Sequence, residues 1–99
     1  MTKKEFQQVC SKAADVIARD GLLKGDYGTN DGPKCVMGSL RFAANGDVNK
    51  HLVGVGELVG QLFQAARPKS KRPNIVSFND VDRTRKHDVV ELLRDMAAV

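Results

Sequence analysis

Ninety-nine residues, 41% hydrophobic and 28% charged, leave room for one hydrophobic core and make disorder a poor description of the whole. One Tyr, four Phe and no Trp mean that the core is built from Leu, Val, Ile and Ala. With 16 Lys and Arg against 12 Asp and Glu, the excess of +4 equals the charge carried by Arg67, Lys69, Lys71 and Arg72, among which no acid lies. That excludes a surface coated throughout for nucleic acid and leaves a local basic patch.

In chain order, Phe6, Val9, Cys10, Ala13 and Ile17 recur at helical spacing. Thr2 and Glu5 fit a capping box and Gly21 a C-terminal cap, so a helix is predicted over about residues 3–20. Gly25, Gly28, Asn30, Asp31 and Gly32 then mark a loop from Gly21 to Pro33. Pro33 suits the first turn of a second helix carrying Cys35, Val36, Ser39, Leu40 and Ala43 and ending at Asn45-Gly46. Asp47 is read as the cap of a third helix reaching Ala66, with a break possible at Gly54 to Gly56.

Residues 67–73 read as a basic linker between the third and last helices, closed by Pro68 and Pro73. Ile75, Val76 and Phe78 are expected as a short extended segment (75–78) plugging the core. Thr84 is expected to cap the last helix, which turns Val89, Leu92, Leu93, Met96 and Ala97 inward. The predicted fold is thus all-α, a single small domain (1–99) of about four helices.

The polar start at Met1 and the lack of a long apolar run point to the cytoplasm, where Cys10 and Cys35 would stay reduced. Cys35, in the first turn of a helix, is the one candidate nucleophile; His51 or His87 with Asn79 or Asp80 would have to complete the set. No catalytic signature surrounds it, and a buried structural thiol is the simpler reading. Cys10, Cys35, His51 and His87 stand singly, so no metal site is expected. Gly54, Gly56 and Gly60 lack the strand and spacing of a dinucleotide loop, and no cofactor is expected.

Arg67, Lys69, Lys71 and Arg72 are candidates for holding a partner or an anion. Arg83, Arg85 and Lys86 join them, because cations at a helix start oppose the helix dipole and call for compensation. Asn79 and Asp80 are expected to bond the loop backbone and pin it to the core.

Three stretches carry a resemblance: Gly21-Leu22-Leu23-Lys24-Gly25, Cys35-Val36-Met37-Gly38-Ser39-Leu40, and Phe78-Asn79-Asp80 with Arg83-Thr84. From about residue 13 to its end the chain resembles an uncharacterised family of small proteins from actinobacteria and their bacteriophages. Leu22 and Phe78 stand where that pattern has tryptophan, and Ser39 where it has alanine. The resemblance implies a phage or prophage accessory protein and transfers no catalytic residue. It also suggests that Cys35, Gly38 and Leu40 meet Phe78, Asn79 and Asp80 at one junction.

The leading expectation is a non-enzymatic protein of the bacterial cytoplasm that binds a macromolecular partner, a host protein first. A nucleic-acid binder using residues 67–72 and the start of the last helix comes second. An enzyme built on Cys35 comes third. No membrane role is expected, and the oligomeric state is left open.

Overall fold

The computed structural model describes residues 1–99, and its five helices share a core of 17 buried apolar residues. α1 (Lys3–Asp20) opens on the expected capping box: Thr2 N–H donates to Glu5 Oε1 at 2.9 Å and Glu5 N–H to Thr2 Oγ1 at 3.1 Å. It ends at Gly21, whose φ of 98° an L side chain rarely adopts. Phe6, Cys10, Ala13 and Ile17 form its buried stripe.

α2 (Val36–Asn45) begins three residues after Pro33, later than the sequence suggests. Cys35 is its N-cap rather than a first-turn residue, and its Sγ accepts the Gly38 N–H at 3.3 Å. α3 (Gly56–Ala66) also starts late. Asp47 caps no helix; its carboxylate closes a turn by accepting the Asn49 N–H at 2.9 Å, and Asn30 Oδ1 takes the Val48 N–H at 2.8 Å. These side-chain bonds give the backbone an alternative to helix, and Gly54 at φ 72° holds the chain outside helical space until Gly56.

Residues 75–78 are not extended. They belong to a six-residue helix, α4 (Ile75–Asp80), because Asn74 Oδ1 accepts the Ser77 N–H at 2.9 Å and caps it. Ile75 and Asn79 are its buried residues. α5 (Lys86–Ala98) is not capped by Thr84, whose hydroxyl donates instead to the Phe78 carbonyl at 2.8 Å. Arg85 is the N-cap residue, and its N–H donates to Asp88 Oδ2 at 2.8 Å.

α1 packs along both α5 and α2, α3 lies on α5, and α4 bridges α2 and α3. The loop after α1 is tied back by single bridges from Lys34 to Leu22 and to Gly28. Beneath it Lys34 is fully buried, its Nζ donating to Asp20 Oδ2 at 2.9 Å and to the Gly32 carbonyl at 2.8 Å, 4.5 Å from the Phe42 ring centre. No helix is long and apolar enough to cross a membrane.

Candidate functional site

Two concavities bring the candidate residues together, and they lie on either side of α4. The first forms where the loop after α1 meets the start of α2. Asn79, only 1% exposed, joins three segments: Oδ1 accepts the Val36 N–H at 2.9 Å, and Nδ2 donates to the Leu23 carbonyl at 3.1 Å and to Asp80 Oδ1 at 2.9 Å. Asp80 Oδ1 also accepts the Gly25 N–H at 3.2 Å, and Lys24 Nζ donates to the Val81 carbonyl. Gly38 is where α2 meets this loop; a Cβ there would sit 2.0 Å from the Tyr27 carbonyl oxygen. These bonds hold open a cleft of about 220 Å³ lined by Gly25, Asp26, Tyr27, Cys35, Val36, Met37, Val76, Asn79 and Asp80.

Cys35 is 8% exposed at the floor of this cleft, and burial pushes its thiol up despite the N–H groups of Gly38 and Met37. Its place before the helix does not yield a thiolate, because desolvation outweighs those backbone donors. Neither histidine lines the cleft: His51 Nδ1 lies 3.2 Å from Arg41 Nη2, and His87 Nε2 lies 3.1 Å from Asp88 Oδ1. Cys10 sits in the core stripe of α1, its thiol pushed up by burial to about 12.

The second concavity, a groove of about 560 Å³, runs between the basic segment and the start of α5. Arg67, Lys71, Arg72 and Arg83 line it together with Ser70 and Thr84, over Phe78 and Val81, and Asp88 and Glu91 stand in the same wall. Lys69, Arg85 and Lys86 do not line it, although all three are exposed. Arg67 is tied to the body of the fold by its Nη1, 2.7 Å from Asp95 Oδ2. The other six candidate cations make no ion pair.

The six residues of the proposed junction divide between surfaces. Cys35, Asn79 and Asp80 share the cleft and Gly38 meets Tyr27, while Leu40 points into the core. Phe78 faces the other way, edge-on to Phe63 with ring centres 5.9 Å apart, and floors the basic groove.

The family comparison matches the description "Family of unknown function (DUF6197)" over residues 1–99. The chain belongs to DUF6197. No curated protein and no solved structure matches it. An uncharacterised family agrees with the resemblance read from the sequence, and it brings no reaction to this DUF6197 chain.

Sequence reasoning missed two buried cations of this DUF6197 member. Lys34 is one, and its lone signal was a charge directly before an apolar helix. Arg41 is the other: its guanidinium stacks 4.0 Å from the centre of the Tyr27 ring, donates to the Val48 carbonyl at 3.4 Å, and leaves Nε without a partner. Between Leu40 and Phe42, Arg41 gave no sign that it lies inside.

Proposed function

We propose that this chain is a non-enzymatic binding protein whose partner is another protein presenting acidic side chains to the basic groove. The observation that carries this reading is the lining of the groove: Lys71, Arg72 and Arg83 lie there without an ion pair, in company with Asp88 and Glu91. Free cations attract carboxylates and raise the rate of encounter, while the two acids fix which charge pattern is accepted. A polyphosphate chain is a poorer match, because it is negative at every unit and cannot avoid both carboxylates, whereas a protein can set its acids against the cations alone. The aromatic ring at the groove, Phe78, is half-buried against Phe63 rather than free to stack on a base.

An enzyme built on Cys35 has less support, since its thiol is pushed up and its cleft holds no histidine. Assignment to a phage or prophage, action in the bacterial cytoplasm and a host protein as the partner rest on the sequence resemblance alone. The test is capture from bacterial lysate by the wild-type chain and by a Lys71→Glu/Arg72→Glu/Arg83→Glu variant, each with and without nuclease. The expected result is a protein captured in nuclease-resistant form and lost in the variant at unchanged melting temperature. Capture that vanishes with nuclease, or that the variant retains, contradicts the reading.

A further inference from the structure

The cleft on the other side of α4 differs in charge from the basic groove and has a chemistry of its own. Its floor is apolar, from Cys35, Val36, Met37 and Val76, with Tyr27 beside them. Tyr27 and Val76 are two of only five large apolar side chains that the fold leaves exposed. No Lys, Arg or His lines the cleft, and its only carboxylates are Asp26 and Asp80. Asp26 makes no hydrogen bond or ion pair, and Asp80 uses Oδ1 alone, for the Gly25 N–H and Asn79 Nδ2. One carboxylate and half of another are therefore unspent at the edge of an apolar hollow.

Lys24, Lys34 and Arg41, which flank its residues, do not line it. Lys24 is bonded to the Val81 carbonyl, Lys34 to Asp20 and the Gly32 carbonyl, and Arg41 is buried against Tyr27 with Nη1 on the Val48 carbonyl, Nη2 at His51 and Nε unpaired. Pockets for drug-sized ligands run to about 300–1,000 Å³, so 220 Å³ suits a single long side chain. Lys and Arg have the matching form, an apolar stem that ends in a positive head.

We propose that this cleft receives a lysine or arginine side chain of a protein partner, the stem on Met37, Val76 and Tyr27 and the head between Asp26 and Asp80. The proposal stands independently of the basic groove. A partner using both faces of α4 would carry acids toward one and a base toward the other.

The test is a titration with a short alanine peptide bearing a central lysine, blocked at both ends, alongside its norleucine and glutamate counterparts. Amide NMR shifts of Gly25, Asp26 and Met37 report binding, together with the fluorescence of Tyr27, the one tyrosine in a chain without tryptophan. Saturable shifts are expected with the lysine peptide, much weaker ones with norleucine, and none with glutamate. Asp26→Asn, at an exposed residue with no structural bond, should weaken lysine binding about two- to five-fold. Filling the hollow with Val76→Trp should abolish it while the far-ultraviolet circular dichroism stays helical. Equal binding of the norleucine peptide, binding of the glutamate peptide, or no saturable response to lysine would overturn the proposal.

Discussion

Asn79 accepts the backbone N–H of Val36, the first residue of α2, across 43 positions of sequence at 2.9 Å. One carboxamide thereby supplies a helix start with a partner for an otherwise unpaired donor, and its amide group holds the Leu23 carbonyl of the preceding loop. Asp80, its neighbour, is exposed, so water can replace its bonds. Asn79→Ala is expected to cost about 1–3 kcal/mol in urea denaturation, because it strands buried groups. Asp80→Ala should cost less than about 1 kcal/mol. Reversal of that order would show that the loop is held by the carboxylate.

Two glycines inside helices should respond with opposite sign. Gly38→Ala places a Cβ 2.0 Å from the Tyr27 carbonyl, so α2 and the loop must separate, at a cost of about 1–3 kcal/mol. Gly60, in α3, has nothing within 4 Å of the same position. Gly60→Ala should stabilise the protein by about 0.5–1 kcal/mol by raising helix propensity. Thermal melts of the two variants decide both claims.

Acid should loosen the loop before it melts the core. Asp20 is held well below the usual carboxylate range, first by its hydrogen bond to Arg19 and then by its bond to Lys34. A carboxylate with a depressed folded-state pKa contributes stability above its unfolded value of about 3.9, and that stability is lost as the pH falls toward the folded value. Asp20→Asn should remove this acid dependence. It should also cost roughly 3 kcal/mol at neutral pH, near the low end for broken buried pairs because Asp20 keeps some contact with water. Denaturation curves from neutral pH down to pH about 3 test the sign.

Both thiols should alkylate slowly in the native protein at neutral pH. Burial pushes Cys10 to about 12 and also raises Cys35. Cys35 should be the faster of the two, since it lines a cleft while Cys10 is fully enclosed. Mass-resolved iodoacetamide labelling before and after denaturation gives the order. Rapid native labelling of Cys35 would favour the enzyme reading.

The long helices were legible because their signals are local. Thr2 with Glu5 and the stripe from Phe6 to Ile17 define α1, and Val89 to Met96 define the face of α5. What escaped was governed by contacts distant in sequence or by competing local bonds. Ile75 and Val76 favour strands by propensity, yet the cap at Asn74 and the burial of Asn79 make α4 a helix. Asp47 looked like a helix cap and closes a turn instead. The basic segment was visible as composition, but its pairing with Arg83 across the groove depends on how α4 folds the chain back.

The most direct test of the basic groove is a paired amide-NMR titration at physiological salt, with a peptide whose glutamates are spaced among neutral residues and with single- and double-stranded DNA. The peptide should shift Ser70, Lys71, Arg72 and Arg83 together, and the triple Glu variant should lose that response. DNA should bind weakly, with a salt slope that falls by about 0.7–0.9 for each contacting charge removed. Sub-micromolar, sequence-dependent DNA binding under the same conditions, with no response to the peptide, would contradict the account and make the groove a nucleic-acid site.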